Sequence, residues 1–477
     1  MRRTPLSGLV ASSARVFAGA GAATVAADAA PPAAGEYDAA VSQPVEDPYY
    51  PSKGDPGFDA LHYDLDLSWA PRTRTLAGVA TIAFRSAADQ DQLTLDLSSA
   101  LTASAVTLDG APVPYEQQGQ HLLVDTVVPL PTGSRHELVV DYTGIPTPYH
   151  AEFTRPDVSS LGWHTRKDGS TWTMQEPFGA FTWYPVNVHP SDKAFYSATV
   201  SAPERMVGVF NGDLVDDTTA DGRRVTSWEL ESPAASYLVT LAIGDYVHYE
   251  DESASGVPIT YWLDRQHTDK MLKVARFLPD AMTWLEAHLG PYPFDRAGIV
   301  TTQGGSGMET QTLITLNEGI LQGNARNVVL HELAHHWYGD TVTPDNWKDL
   351  WLNEGWAMYA QIRWESRSGY TTMHDWREYI EAIDQFDRRH YGPPAEYDRR
   401  DFGTNGVYLS GALMIDQLRK KIGAQAFADL WREWPQQHLD SNADRGDYIA
   451  WASARTGVDL EPFITEWLTS ETTPDLL

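Results

Sequence analysis

Residues 324–339 read NARNVVLHELAHHWYG and contain the pattern H-E-x-x-H. The apolar spacing predicts a helix, on which His331 and His335 lie four residues apart and share one face. Both imidazoles can therefore reach one metal ion. Glu332 lies beside that face, where its carboxylate can contact a metal-bound water without binding the ion. An ordinary helix with two stacked histidines is the alternative interpretation of this stretch taken alone.

A second helix supplies a third candidate ligand. Residues 351–356 read WLNEGW, and Glu354 follows His335 with eighteen residues between them. That spacing allows a helix end, a loop and one turn of a neighbouring antiparallel helix. A catalytic zinc site needs three protein ligands and one open position. The sequence therefore predicts one Zn²⁺ bound by His331, His335 and Glu354.

The composition excludes several classes of protein. A chain of 477 residues allows two or three domains at roughly 150 residues each, and 42% hydrophobic residues exclude a wholly disordered chain. The formal charge of −30 opposes binding to nucleic acid or to an anionic membrane surface. The absence of cysteine excludes disulfides, thiol catalysis and iron–sulfur ligation.

The chain divides into two parts with different hydrophobic periods. Over residues 46–264, short runs such as YDLDL at 63–67 alternate with period two and are separated by turn signals such as Asp109-Gly110 and Asn211-Gly212, which predicts an all-β domain. Over residues 265–477 the period lengthens, which predicts a mostly helical domain. The predicted helices span 270–289 with a proline kink, 324–338, 350–367, 408–421 and 424–434. The predicted fold class is α+β with two domains.

The N-terminus has the features of a secretory signal peptide. Residues 1–15 carry three arginines and no acid, residues 16–27 are small and apolar, and residues 27–29 offer an A-x-A cleavage site. We therefore expect a secreted protein, with residues 1–29 removed and residues 30–45 forming a flexible linker. An unstructured leader that remains on a cytoplasmic protein is the alternative.

The metal motif, with its spacing to Glu354, resembles that of the gluzincin zinc aminopeptidases of the aminopeptidase N type. Further segments agree in order, namely DPY at 47–49, YDLDL at 63–67, LAG at 76–78 and GPYPF at 290–294. The resemblance covers about residues 46–477. It implies a saddle-like N-terminal β-domain, a thermolysin-like, mostly helical zinc catalytic domain, and the removal of N-terminal residues from peptides.

The family's G-x-M-E-N motif has a counterpart at residues 306–310, which read SGMET. The Met-Glu pair is kept, whereas Ser306 replaces the first Gly and Thr310 replaces the Asn. The resemblance implies that Glu309 binds the free α-amino group of the substrate. A carboxylate near the metal can pair with an ammonium and so measure off one residue. A Gly-rich turn with an exposed glutamate is the alternative.

A second amine-binding acid is implied in the β-domain. The family's T-Q-x-E-P motif corresponds to residues 173–177, which read TMQEP, so that Glu176 takes the glutamate position. Met174 replaces the family's Gln, and Val188 replaces an Asp of the segment that follows. A loop acid near a turn is the alternative for Glu176.

The family also has a tyrosine in a Y-x-K-G-A motif, and residues 408–412 here read YLSGA. The resemblance implies that Tyr408 donates a hydrogen bond to the oxyanion that forms during hydrolysis. Ser410 replaces the lysine, so a neighbouring positive charge is lost. Two basic stretches precede this motif, at 388–390 and 399–400. They are predicted to lie in a solvated loop, with a cleft edge that contacts a substrate carboxylate as the alternative.

The implied mechanism gives each residue a role. The zinc ion polarises the scissile carbonyl and activates a water, Glu332 moves the proton, and Glu309 with Glu176 restricts cleavage to peptides with a free N-terminus. A thermolysin-like endopeptidase and a non-catalytic binding protein on the same fold remain as alternatives. Full-length relatives continue with a C-terminal helical domain, so the shorter length here predicts an open site or one completed by a partner chain. The preferred first residue and the oligomeric state are left open.

Overall fold

A computed structural model describes residues 35–323 and 325–477. The predicted leader over residues 1–29 lies outside the described residues, as do residues 30–34 of the predicted linker and Asn324. Residues 35–45 contain one short 3-10 turn, Asp38–Ala40. Among the described residues, no helix has both the length and the apolar character needed to cross a membrane.

The first part of the described chain is built from strands, as the alternating pattern predicts. In the first strand, Tyr63, Leu65, Leu67 and Trp69 are buried while the residues between them are more exposed, which gives one core-facing and one outward-facing side. The strands are β1 Phe58–Ala70, β2 Thr75–Ser86, β3 Gln90–Asp96, β4 Leu101–Leu108, β5 Ala111–Pro112, β6 Tyr115–Gln118, β7 His121–Leu130, β8 Arg135–Gly144, β9 Tyr149–His150, β10 Ser160–Thr165, β11 Thr171–Met174, β12 Lys193–Pro203, β13 Val207–Phe210, β14 Asp213–Ala220, β15 Arg223–Ala235 and β16 Leu241–Gly244.

These strands form a β-rich domain of three sheets. The largest sheet has the order β14-β15-β12-β1-β2-β8-β4-β5, in which β1 and β12 are parallel and the other neighbours are antiparallel. The smaller sheets have the orders β13-β16-β11-β10-β9 and β3-β7-β6. The turns predicted at Asp109-Gly110 and Asn211-Gly212 lie between β4 and β5 and between β13 and β14.

A second domain contains a mixed sheet and most of the helices. Its strands are β17 Tyr246–Glu252, β18 Pro258–Asp264, β19 Ala297–Thr302, β20 Gly307–Met308, β21 Ile314–Asn317, β22 Val342–Pro344 and β23 Ser441–Ala443. Its sheet has the order β17-β18-β19-β21-β20, and the parallel pairing of β18 with β19 carries the sheet across the boundary predicted at residue 264. The hairpin β17-β18 therefore shares a sheet with the helical part of the chain, although its alternation looks like that of the β-domain.

The helices of the second domain include all of the predicted ones, with changed limits. They are α1 Thr268–Ala275, α2 Leu278–Leu289, α3 Glu318–Gln322, α4 Arg326–His335, α5 Trp351–Ser368, α6 Met373–Tyr391, α7 Asn405–Ile422, α8 Ala424–Gln437, α9 Arg445–Thr456 and α10 Glu461–Thr469. The helix predicted over 270–289 is two helices, because the chain breaks at Arg276-Phe277 and Pro279 lies in the first turn of α2.

The solvated loop predicted at 388–390 is wrong. These residues form the last turn of α6, and Arg388 is buried, where its guanidinium binds the carboxylate of Asp384 and the backbone carbonyl of Trp467. Residues 399–401 form a 3-10 turn in which Arg399 and Arg400 are exposed and Asp401 is buried, and Arg400 pairs with Asp398 just before the turn.

The β-domain holds the segment that connects the two metal-site helices. At the start of β12, Lys193 is buried and donates to the backbone carbonyls of Asp340 and Thr341 at 2.8 and 3.0 Å. Burial lowers the pKa of Lys193 to about 8. Tyr237 donates to the Gly339 carbonyl, and Asp47 accepts from the Trp347 amide at 2.7 Å. The position of α4 relative to α5 therefore depends on contacts with the first domain.

Candidate active site

The three predicted metal ligands converge from two helices. His331 and His335 lie on the last two turns of α4, and Glu354 lies on the first turn of α5. The three atoms His331 Nε2, His335 Nε2 and Glu354 Oε2 lie 3.2 Å from one another. All three side chains are buried. The structure thus brings together three donors of the types that zinc prefers.

The spacing of these donors suits one zinc ion. Bonds of about 2.0–2.1 Å in tetrahedral geometry hold ligand atoms roughly 3.3–3.4 Å apart, close to the separation seen here. His335 Nδ1 lies 3.1 Å from the Tyr338 carbonyl, in the π-helical turn His336–Asp340 that follows α4. That contact makes Nδ1 the protonated nitrogen and leaves Nε2 with a free lone pair. Burial alone would raise the pKa of Glu354, but His335 and His331 hold it well below its usual value.

Glu332 is buried beside the ligands and is packed against a glycine. A Cβ on Gly307 would lie 2.3 Å from Glu332 Oε1. The backbone of β20 therefore lies so close to the carboxylate that only glycine fits at this position without a shift. Glu332, Glu309 and His335 each have a ligand-type atom within 4.8 Å of the others. The carboxylate therefore lies next to the metal ligands but outside the set of three.

Glu309 and Glu176 face the same cavity from different domains. Glu309 directly follows β20, and Glu176 lies in the loop after β11. Both line a cavity of about 240 Å³ together with Glu332, Glu354 and Tyr408. In each of Glu309 and Glu176, Oε1 is buried and has no hydrogen-bond partner in the described part of the chain. The exposed-turn alternative for Glu309 is therefore wrong.

No described cation forms an ion pair with the carboxylate of Glu309 or Glu176, although the charge of His335 lowers the pKa of both and that of Arg155 lowers the pKa of Glu176. Burial raises the pKa of Glu176 well above its usual value, and the charges of Glu309 and Glu354 raise it further. Burial also raises the pKa of Glu309. Unpaired buried carboxylates are unfavourable unless a ligand supplies positive charge and hydrogen-bond donors. The cavity is therefore suited to an ammonium group placed next to the metal ligands.

Tyr408 reaches the same cavity from α7. Its hydroxyl donates to Glu354 Oε1 at 2.5 Å, so it lies next to the metal ligands. Arg155, from the segment between β9 and β10, has its guanidinium 5.6 Å from the centre of the Tyr408 ring and Nη1 3.5 Å from the hydroxyl oxygen. Sequence reasoning did not find Arg155, because it is 253 residues from Tyr408 and lies in no motif.

The departures from the family's motifs have different surroundings. Thr310 is buried and its hydroxyl lies 2.9 Å from that of Thr315, so it serves the loop rather than the cavity. Met174 and Ser306 line the cavity. Ser410 is buried in α7 with no hydrogen-bond partner for its hydroxyl among residues 35–323 and 325–477. The positive charge nearest to Tyr408 is instead that of Arg155.

Two models of one protein family match the chain. The peptidase M1 N-terminal domain matches residues 59–238, and the peptidase family M1 domain matches residues 279–467. Curated relatives include aminopeptidase B of Mus musculus, 28% identical over 64% of this chain and 50% of the relative, and aminopeptidase N of Streptomyces lividans, 25% identical over 86% of this chain and 50% of the relative. The chain thus spans about half the length of these curated relatives.

Solved structures give a match over nearly their whole length. The M1 zinc metallopeptidase from Deinococcus radiodurans is 26% identical, with a TM-score of 0.78 over 91% of this chain and 99% of that chain. A mutant of a two-domain M1 zinc metallopeptidase bound to L-arginine has a TM-score of 0.80 at 25% identity, again over 91% and 99% of the two chains. The two-domain arrangement predicted from the sequence is confirmed.

The close approach of Gly307 to Glu332 gives a prediction. In Gly307→Ala, the added methyl group displaces the Glu332 carboxylate, which is the movable end of a flexible side chain, while the three metal ligands stay in place. We expect bound zinc to be retained and metal-dependent hydrolysis to fall about 100-fold, as small misplacements of a catalytic group do. Metal analysis and steady-state kinetics measure the two effects.

Gly305→Ala is the matched control, because its Cβ would meet Asp157 at 3.3 Å and not Glu332. If Gly307→Ala hydrolyses its substrate at the rate of the unchanged protein, Glu332 does not depend on this backbone contact.

Proposed function

Because the chain belongs to peptidase family M1, we propose that it is a zinc-dependent aminopeptidase that removes N-terminal residues from peptides. One observation carries the proposal. Two buried carboxylates with unpartnered oxygens, Glu309 and Glu176, line the same cavity as the three metal donors. A peptide whose amino group binds these acids has its first peptide bond next to the metal ligands.

One ion suffices for this chemistry. His331, His335 and Glu354 would hold it, and in that place zinc supplies a Lewis acid for the scissile carbonyl and lowers the pKa of a water. A second cluster of potential ligands is partly exposed and consists of Asp345, Asp444 and Asp447, of which Asp444 and Asp447 already form the capping box of α9. We therefore propose a single functional zinc ion.

Glu332 and Tyr408 act on the reacting groups. Glu332 is placed to take the proton of the attacking water and to pass it to the leaving amine. The Tyr408 hydroxyl donates a hydrogen bond to Glu354 in this structure. During hydrolysis it would donate instead to the carbonyl oxygen of the substrate, as negative charge develops on that oxygen. Because the Tyr408 hydroxyl already lies next to a proposed metal ligand, this change of hydrogen-bond acceptor requires only a small movement of the side chain.

Glu309 and Glu176 select the substrate. A free α-amino group is charged near neutral pH and supplies up to three donors for the two carboxylates, whereas an acylated N-terminus supplies neither the charge nor enough donors. The related M1 zinc metallopeptidases have been solved with L-arginine, with L-tryptophan and, in the protein from Deinococcus radiodurans, with a Tyr-Ser-Ala substrate. These complexes support peptides with a free N-terminus as substrates of this chain.

We also propose that the protein is exported, on the basis of residues 1–29, which lie outside the described residues. N-terminal sequencing of protein recovered outside its native cells should begin at Ala30. A chain retained inside the cell with residues 1–29 still attached contradicts export.

The proposed activity is tested with a panel of free-amine aminoacyl anilides and their N-acetylated counterparts, with and without a zinc chelator. We expect cleavage of the free-amine set alone, loss of cleavage with the chelator and recovery on adding zinc. In Glu332→Gln we expect zinc content to be unchanged and turnover to fall at least about 100-fold, because the group that moves the proton is removed.

Each other outcome favours a different function. Cleavage of the acetylated set indicates an endopeptidase. A protein that binds zinc but cleaves neither set is a binding protein on this fold. Normal turnover in Glu332→Gln contradicts the role given to that residue.

The role of Glu309 has a separate test. Glu309→Gln keeps the size of the side chain but removes its charge, so kcat/KM for free-amine substrates should fall about 10- to 100-fold with zinc content unchanged. Glu466→Gln, an exposed position on α10, is the matched control. If zinc is lost in proportion to activity, Glu309 supports the metal site rather than the substrate.

A further inference from the structure

A second cavity adjoins the metal site on the side of Tyr408. It has a volume of about 360 Å³ and shares Arg155, Met358 and Tyr408 with the cavity that contains the metal donors. Its remaining lining comes from Tyr391 and from residues 403–405, where the chain enters α7. We call it the α7 pocket. Unlike the metal-site cavity, which four glutamates line, the α7 pocket has no carboxylate in its lining.

The N-terminus of α7 provides backbone donors at this pocket. In the first turn, the amides of Val407 and Tyr408 donate to the Thr404 carbonyl, which leaves the amides of Asn405 and Gly406 outside these bonds. No side chain in the described ranges caps the helix start, and the first turn carries no acid. An 18-residue helix with an uncapped N-terminus has a partial positive charge and free amide donors at that end.

Thr404 gives independent evidence that a ligand belongs in the pocket. Its side chain is 6% exposed and lines the pocket, yet its hydroxyl has no hydrogen-bond partner in the described part of the chain. A buried hydroxyl without a partner is unfavourable by an amount comparable to a lost hydrogen bond. A threonine at this position ordinarily caps the helix, so an uncapped Thr404 is available to a ligand.

Arg155 brings a guanidinium to the pocket, and its positive charge is partly compensated by Asp157. Its guanidinium donates to the Gly403 carbonyl through Nη1 and pairs with Asp157 through Nε and Nη2. Asp157 does not line the pocket, whereas Arg155 does. In a chain with a net charge of −30, an arginine, a free helix N-terminus and an unpartnered hydroxyl at one cavity select an anion.

We propose that the α7 pocket binds the C-terminal carboxylate of a short peptide, so that the preferred substrates are dipeptides and tripeptides with both ends free. This inference rests on the proposed aminopeptidase function. Asn405 lies about 4.5 Å along the helix axis from Tyr408, and an extended residue spans about 3.5 Å. One or two residues beyond the cleaved bond therefore bring a carboxylate to the pocket.

The test compares Tyr-Ser-Ala with Tyr-Ser-Ala amide and with Tyr-Ser-Glu amide. The first peptide has a terminal carboxylate, the second has none, and the third has one on a side chain only. We expect kcat/KM to be at least about tenfold higher for the free acid than for either amide, as for one hydrogen bond to a charged group. Calorimetric binding of the three peptides to Glu332→Gln gives the same ranking without turnover.

Two substitutions test the pocket itself through the ratio of kcat/KM for the acid to that for the amide. Thr404→Val removes the hydroxyl and should lower the ratio about threefold or more, whereas Thr465→Val on the exposed surface of α10 should not. Asn405→Pro removes one amide donor at a position where helices accept proline, and Thr404 already has the extended backbone that precedes proline. Asn405→Ala is its control, because it removes the same side chain and keeps the amide.

The outcomes separate this inference from the proposed function. Equal rates and affinities for acid and amide overturn the carboxylate site and leave the aminopeptidase in place. A ratio that neither Thr404→Val nor Asn405→Pro changes also overturns it. A higher kcat/KM for Tyr-Ser-Glu amide than for the free acid would mean that the pocket binds a side-chain carboxylate, and it overturns the proposal of a site for the terminal carboxylate. Failure to cleave any of the three, together with equal binding by Glu332→Gln, overturns both.

Discussion

The central constraint on this fold is the burial of three potential metal ligands side by side. The atoms His331 Nε2, His335 Nε2 and Glu354 Oε2 lie 3.2 Å from one another. Two imidazoles and a carboxylate lose hydration there, and a bound cation would compensate for the part of that loss that their hydrogen bonds leave. The two helices do not fix this arrangement alone. The segment that joins them, residues 336–350, is held by Lys193, Tyr237 and Asp47 of the β-domain. The geometry of the metal site therefore depends on the packing of the β-domain against the segment between α4 and α5.

The same burial gives a physical basis for the substrate selection proposed above. Glu176, Glu309, Glu332 and Glu354 line one small cavity, and burial together with mutual repulsion raises the pKa of the first three. A metal ion offsets part of this negative charge, and the remainder is offset by a ligand that brings its own cation. A free α-amino group does so, and an acylated one does not. The proposed selection of the peptide N-terminus would thus follow from the same negative charge that favours a metal ion.

Local patterns predicted much of the fold, and long-range contacts account for what they missed. The period-two runs, the turns and the helix with the H-E-x-x-H pattern depend on neighbours in sequence, so they could be predicted. Helix α6 was not predicted, although Thr372 and Asp375 form a capping box at its start. Burial of its Arg388 depends on Trp467, which is 79 residues away. The boundary at 264 could not reveal the sheet that crosses it, because the alternation of β18 does not specify its partner strand. Arg155 reaches Tyr408 only through the packing of the two domains.

The distribution of charge around Tyr408 gives the site a direction. Glutamates line only the cavity on the amine side, the N-terminus of α7 lines only the α7 pocket, and Arg155 lies between the two and lines both. Tyr408 and the amides at the start of α7 belong to one helix, so helix geometry, and not a loop, sets the distance between the proposed oxyanion donor and the proposed anion site. A short peptide with two free ends fits this arrangement when the distance from its first peptide bond to its C-terminal carboxylate equals the distance from Tyr408 to the α7 pocket. Discrimination by length would then come from the rigidity of a helix, with the ends of the substrate recognised by opposite charges.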